Sequence, residues 1–146
     1  MSAAKNEAVE DDEIIITGRV SMSLRIRTPF DTSGLSQQLG LPAKRVRPIV
    51  KGLNYWCGEM EDETEAHSSY LCDLVTYWVQ HLSTHSEVIL QAVNGGGEAT
   101  LVLAMFVDGN LDFQFEPSDI ATLAQLKMGF ICEVYPPRIE TVPDAS

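Results

Sequence analysis

The clearest pattern in the chain is a strict alternation of apolar and polar residues from Val20 to Arg27. Because successive side chains of a β-strand point to opposite faces, this alternation predicts a strand with one buried face. The opposite face then carries two serines and, further along the strand, Arg25 and Arg27. Pro29 is expected to end the strand, since proline has no backbone N–H to donate to a sheet.

The order of elements around this strand recurs near the other end of the chain. Residues 25–46 and residues 113–130 each contain a strand, a proline that ends it, a short helix with a Leu-x-Gln sequence, and a second apolar segment. Two such βαβ-like halves predict an α+β fold, a two-layer sandwich with helices on one face of a sheet. They predict an architecture and no particular chemistry.

A longer helix is expected between the two halves. Apolar residues recur at three- and four-residue spacing over residues 64–82, which predicts an amphipathic helix with one buried stripe. The stripe comprises Tyr70, Leu71, Leu74, Trp78 and Leu82. A second short helix is expected over residues 86–94, and the three glycines that follow it are expected to form a hinge-like connector.

Four further segments have strand-like patterns. Residues 53–60 are predicted to form a strand before the long helix, and residues 101–107, apolar on both faces, are predicted to be a central strand. The alternating residues 111–115 predict an antiparallel partner for it, and residues 130–135 predict the last strand. The sequence thus predicts a mostly antiparallel sheet of about five or six strands, with one long and two or three short helices.

Length and cysteine content indicate one domain in a reducing compartment. At 146 residues, the chain is expected to form a single α+β domain over residues 13–139, between a mobile acidic tail (1–12) and a loose C-terminal tail (140–146). Three cysteines without a CxxC pair are typical of a cytoplasmic protein. No stretch approaches the roughly 18 apolar residues of a membrane span, and no signal-peptide pattern is present, so no membrane association is expected.

The charge is unevenly distributed along the chain. The net charge is −11, yet seven of the ten cationic residues lie between Arg19 and Lys51, opposed there only by Asp31. The overall charge opposes binding to a nucleic-acid backbone. The basic segment indicates either a partner surface or internal pairing with the acids of the same chain.

Four arginines in this segment are the candidate binding residues. Arg25 and Arg27 share one strand face, and Arg45 and Arg47 repeat the same spacing in the next extended segment. If the two segments lie side by side, their guanidinium groups form one patch, which can hold carboxylates or phosphates bidentately. The alternative is a solvated face. RNA binding would favour aromatic side chains interleaved with the basic ones, and that strand face carries none.

An acidic run offers the main alternative, an enzyme site. Glu59 and Glu61 follow Trp56, and in an extended segment both carboxylates would point to one side, as in an acid–base pair. A solvated run that precedes the long helix explains the same residues more simply.

The histidines and cysteines indicate no catalytic or metal site. His81 and His85 have a spacing that can place two ligands on one metal, but no carboxylate stands at the offset of a HExxH motif and His67 is about four turns away. No cysteine has the basic setting of a nucleophile. We therefore expect no catalytic residue, no metal and no cofactor.

The order of landmarks resembles a known family over about residues 20 to 136. The landmarks are the opening alternating strand, Pro29-x-Asp31 before a Leu-rich short helix, a strand with Tyr55-Trp56, the long helix, the glycine connector and the closing strand. A chain with these landmarks in this order resembles the bacterial family called domain of unknown function 4279. The resemblance implies the α+β fold and no activity, since none is assigned to that family.

The sequence favours a small, non-catalytic binding or interaction domain with a protein partner. An immunity-type protein or a regulatory inhibitor is one concrete version of this hypothesis. The alternatives are an enzyme with a site near Trp56, Glu59 and Glu61, and an anion- or RNA-binding protein that uses the arginine-rich sheet face. The partner and the oligomeric state are not specified by the sequence.

Overall fold

The computed structural model describes residues 13–16, 18–44, 53–65, 68–107 and 114–141. In these ranges the elements follow the order β1 (Glu13–Ile16), β2 (Arg19–Thr28), α1 (Leu35–Leu39), β3 (Asn54–Glu65), α2 (Ser68–Ser83), α3 (Ser86–Asn94), β4 (Glu98–Phe106), α4 (Pro117–Gln125), β5 (Gly129–Tyr135) and β6 (Arg138–Thr141).

The described strands form one mixed sheet and one separate ribbon. The sheet has the order β3-β2-β4-β5, in which β2 is antiparallel to both neighbours and β5 is parallel to β4. The ribbon pairs β1 with β6, so residues 140 and 141, expected in the C-terminal tail, belong to a strand. The predicted α+β class is confirmed, but the main sheet has four strands, fewer than predicted.

The alternation in β2 has the predicted consequence. Val20, Met22, Leu24 and Ile26 are at most 1% exposed. They share a face with the inward residues of β4 and pack with α2 and α3 in one apolar cluster. Each such side chain stabilises the fold by roughly 1.5–3 kcal/mol through removal from water, so this face forms the core.

Helix α2 begins four residues later than the sequence predicts, because β3 continues to Glu65. Its buried face includes Val75 and Val79, at most 1% exposed, together with Leu71 and Leu82. Tyr70, predicted to lie in the buried stripe, is 38% exposed. Helix α3 ends at Asn94, as predicted. Within the described residues, no helix is long and apolar enough to cross a membrane.

The predicted antiparallel partner of β4 at residues 111–115 is wrong where the structure describes it. Residues 114–116 are not a strand, and residues 111–113 lie outside the described ranges. Both edges of β4 are already paired, one with β2 and the other with β5. Phe115 instead packs edge-to-face on Phe130, with ring centroids 4.8 Å apart. The strand expected at Val46 in the first half lies outside the described residues, as do residues 111–113 of the second half, so the repeated strand–helix–strand order stays a prediction.

The glycine connector after α3 is a close-packed joint, where the sequence suggested a hinge. The Gly97 N–H donates to the Ala92 carbonyl at 3.0 Å. A Cβ at position 97 would overlap the carbonyl oxygen of Arg27 and lie 2.9 Å from the Thr28 Cα. Only glycine lets β4 begin this close to the end of β2.

We expect Gly97→Ala to destabilise the protein by about 1–3 kcal/mol, because backbone atoms must move to admit the methyl group. Gly129→Ala is the matched control, since a Cβ there meets only Thr100, at 3.8 Å or more. Urea unfolding followed by circular dichroism measures both. Equal stability of the two variants would contradict the close packing at Gly97.

Candidate anion-binding site

The two described arginines of the predicted patch lie on the sheet face opposite the core, called here the arginine face. On this face Arg25 pairs with Cys57 of β3 and Thr100 of β4. Arg27 pairs in the same way with Tyr55 and Glu98, two residues further along each strand. Each arginine and the residues paired with it thus form one row across the sheet. Because β2 is paired along both edges, both arginines project from backbone that is held in register on two sides.

A pocket of about 100 Å³ lies between these rows. All four strands of the sheet contribute to its lining, which comprises Arg25, Arg27, Tyr55, Glu98, Thr100 and Ile131. The fourth residue in the row of Arg25 is Gly129, which pairs with Thr100 and has no side chain to fill the space.

The donors of Arg25 are only partly used. Its Nη2 lies 3.7 Å from Oε2 of Glu133, in an ion pair whose side chains are each about one third exposed. Such solvent-screened pairs contribute little, about 0–1 kcal/mol. The Nε atom is buried and has no acceptor among the described residues. Glu133 also accepts a hydrogen bond from the Tyr135 hydroxyl at 3.0 Å. Arg25 therefore has at least one N–H group without a protein acceptor among the described residues.

The phenol of Tyr55 completes the donor set. Burial raises the pKa of Tyr55, and the positive charges of Arg25 and Arg27 oppose that rise only partly. Since an unperturbed tyrosine already titrates near pH 10, the hydroxyl remains protonated at neutral pH. It can therefore donate a hydrogen bond to an anion held by the two guanidinium groups.

The other half of the predicted patch, Arg45 and Arg47, lies outside the described residues. The chain immediately before them is described and runs along the outer edge of β3. The Lys44 N–H donates to the Cys57 carbonyl at 2.7 Å, and Ala43 forms an antiparallel bridge with Gly58.

The middle of the arginine face is more buried than its serines and arginines suggest. Ser23 is 7% exposed, and Cys57 and Val102 on the same face are 3% and 2% exposed. Ser23, which the alternation places on the face opposite the core, is therefore not exposed to solvent. The sequence pattern of one strand cannot reveal this burial, since burial on a sheet face depends on what other parts of the chain place around that strand.

The alternative site does not assemble. Glu59 pairs with Ser23 and Glu61 with Met22, and these two neighbours on β2 face opposite sides. The extra residue Met60 is a β-bulge, which shifts the alternation of β3 and separates the two carboxylates. The alternative interpretation, in which Glu59 and Glu61 point to one side as an acid–base pair, is therefore wrong.

Two members of the alternative site, Trp56 and Glu61, have structural roles on the helix side of β3. The carboxylate of Glu61 accepts hydrogen bonds from Trp78 Nε1 and the Thr64 hydroxyl, both at 2.9 Å. Trp56 donates from Nε1 to Ser36 Oγ at 3.2 Å, and its ring covers Gly58. These contacts connect β3 to α1 and α2.

The histidines contact backbone carbonyls. Nε2 of His81 donates to the Leu39 carbonyl at 2.9 Å, and Nδ1 of His85 donates to the His81 carbonyl at 3.0 Å. The ranges that the structure describes, from which His67 is missing, contain no group of three residues able to hold a metal.

The two sheet cysteines differ in exposure, since Cys57 is buried within the arginine face and Cys132 is exposed. Burial and the nearby Glu133 raise the pKa of the Cys132 thiol, which lowers its reactivity as a nucleophile.

Comparison with known proteins adds no relative, since no protein-family model, curated protein or solved structure matches the chain. The resemblance to domain of unknown function 4279 therefore stays a prediction. Of the pocket residues, sequence reasoning identified Arg25 and Arg27 and missed Tyr55, Glu98, Thr100 and Ile131. Only the register between strands shows that they meet.

We expect Arg25→Gln or Arg27→Gln to raise the pKa of Tyr55 further, because each guanidinium opposes the rise caused by burial. NMR of ¹³Cζ-labelled tyrosine measures this titration at high pH. Lys127→Gln, which removes one positive charge outside the pocket, should leave the Tyr55 titration unchanged. An unchanged pKa in both arginine variants would place the guanidinium groups away from the phenol.

Proposed function

We propose that this chain is a non-catalytic binding domain that holds a carboxylate of a protein partner between Arg25, Arg27 and Tyr55. The observation that carries the proposal is the convergence of two guanidinium groups and a protonated phenol on one pocket. All three groups are hydrogen-bond donors, and within the described residues the Arg27 side chain forms neither a hydrogen bond nor an ion pair. The pocket thus supplies donors and positive charge to an anion.

The dimensions are compatible with a small oxyanion. A pocket of about 100 Å³ has room for a group of at least a few heavy atoms. A carboxylate fits this volume, and its two oxygens match the planar fork of N–H groups that each arginine presents.

The surrounding charges favour a protein carboxylate over a nucleic-acid backbone. Glu98 lines the pocket and Glu133 contacts Arg25, so two acids border the two arginines. The chain as a whole has a net charge of −11, which repels a long polyanion. A single carboxylate, on an acidic side chain or at a chain terminus, can bind the arginines alone. A nucleic acid would also bring its neighbouring phosphates close to the negative charge of this protein.

The function is tested with a peptide containing one glutamate, acetyl-Ala-Glu-Ala-amide, added to the ¹⁵N-labelled protein. We expect amide shifts around Arg25, Tyr55 and Thr100, and no such shifts with the glutamine counterpart of the peptide. Arg27→Gln should weaken binding about tenfold, because a hydrogen bond between charged groups contributes about 1.5–3 kcal/mol. Lys127→Gln, with the same loss of charge, should bind like the parent protein.

Two further probes separate the alternatives. Inorganic phosphate tests whether any small oxyanion suffices, and a single-stranded RNA oligomer tests nucleic-acid binding. Equal shifts with the glutamate and glutamine peptides, or unchanged affinity in Arg27→Gln, would refute the carboxylate site. RNA binding that is lost in Arg25→Gln and weakens steeply with salt would instead support the nucleic-acid alternative.

A further inference from the structure

The two edges of the main sheet differ in how they are protected. The edge strand β3 carries two irregularities in its pairing with β2 and is bridged on its outer side by the segment around Ala43. The outer edge of β5 is paired with no strand in the described part of the chain. β5 pairs with β4 in unbroken register from Gly129 to Tyr135 and contains no lysine, proline or bulge. These are the usual devices that prevent an edge from pairing with another chain.

The backbone of β5 shows which groups face outward. The Tyr135 carbonyl accepts a hydrogen bond from the Val107 N–H at 3.1 Å, so the backbone groups of Tyr135 point toward β4. Because alternate residues of a strand direct their backbone groups to opposite sides, Phe130, Cys132 and Val134 direct theirs to the outer edge. Cys132 is the middle residue of both β5 and this outward set.

The side chains of β5 are apolar and exposed. Of the seven large apolar or aromatic side chains that are exposed in the described residues, three belong to this seven-residue strand. Ile131 is 40% exposed, Val134 62% and Tyr135 41%. Val134 and Cys132 lie on the helix side, whereas Ile131 and Tyr135 lie on the arginine face. An edge strand with apolar side chains exposed on both faces is expected to pair edge to edge with another strand.

We propose that β5 pairs antiparallel with β5 of a second copy of this chain, around a two-fold axis at Cys132. In this register the two Cys132 residues exchange both backbone hydrogen bonds, and the outward groups of Phe130 meet those of the second copy's Val134. The pairing joins two four-stranded sheets into one sheet of eight strands. A two-fold interface of this kind is the commonest form of homodimer.

The side chains on this strand are complementary to themselves under that axis. On the helix side Phe130 lies opposite Val134 of the second copy, so the apolar groups cover one another. On the arginine face Tyr135 lies opposite Gly129, the one residue of β5 without a side chain. The Tyr135 ring is held in place by stacking on Phe106, with centroids 5.1 Å apart, and an aromatic ring over a glycine is a favourable cross-strand pair.

The charges of the two copies repel each other, although no acid lies directly opposite another acid in this register. Glu133 lies opposite Ile131 of the second copy, so the two Glu133 carboxylates are not direct cross-strand partners. Each copy has a net charge of −11, so the two copies repel each other. Because salt screens this repulsion, the dimer should form more readily at high ionic strength. The proposal does not depend on the anion site, because no backbone group on the outer edge of β5 belongs to that pocket.

The mass in solution tests the pairing. Light scattering after size exclusion should give a monomer of 16.1 kDa on dilution and twice that mass at high concentration, with more dimer in added salt. Val134→Lys should weaken the dimer at least tenfold, because it places a charge opposite Phe130. Ile120→Lys is the matched control, since Ile120 is 54% exposed on α4, and it should dimerise like the parent protein.

Disulfide trapping tests the register itself and does not require the lysine variant to fold. Residues in a hydrogen-bonded antiparallel pair have Cα atoms about 5.5 Å apart, a separation that a disulfide spans. In Cys72→Ser, oxidation of two thiols by copper–phenanthroline should give a covalent dimer linked through Cys132 of each copy. The additional change Cys132→Ser should abolish it.

Three outcomes would overturn the proposal. They are a monomer at every concentration and salt level, a dimer that Val134→Lys leaves intact, and a dimer in which Cys132 cannot be cross-linked. Absence of glutamate-peptide binding at concentrations where the protein is monomeric, with the dimer still formed at higher concentration, would refute only the anion site.

Discussion

The apolar face of β2 is the constraint on which the rest of the structure depends. This strand is paired along both edges, and its inward residues from Val20 to Ile26 are almost fully removed from water. A shift of one residue would turn Arg25 and Arg27 into the core, where unpaired charges are very costly. The core therefore fixes the register of the sheet, and the register fixes the face on which the guanidinium groups lie.

The candidate site is a consequence of this register. Cys57 and Thr100 are small residues that face Arg25 across the two neighbouring strands, whereas Tyr55 and Glu98 face Arg27. Small side chains beside one arginine and larger ones beside the next leave a recess between the two rows. Because three paired strands hold the donors, little ordering is required when an anion binds, and a preorganised site loses less affinity to entropy than one on a loop.

Local patterns predicted the elements better than their pairing. The period-two alternation of β2 and the helical spacing in α2 each report burial of one face, and burial follows from the element itself. The alternation over residues 111–115 was misleading, because an alternating segment does not reveal that both edges of β4 are taken by strands distant in sequence. The bulge at Met60 was invisible for a similar reason, since only the partner strand shows an extra residue. Hence the arginines could be predicted from sequence, whereas Tyr55 and Thr100 could not.

The two proposed surfaces are linked through Glu133. Its carboxylate already lies near Arg25, and on β5 it stands next to Cys132, where the two-fold axis would pass. A ligand carboxylate must compete with Glu133 for the same guanidinium, so the strength of this weak internal pair sets part of the binding affinity. Pairing of β5 would remove water from around Glu133 and strengthen its attraction to Arg25, since ionic interactions grow as the local dielectric falls. Dimer formation and anion binding should therefore oppose each other, with Glu133 as the physical connection between them.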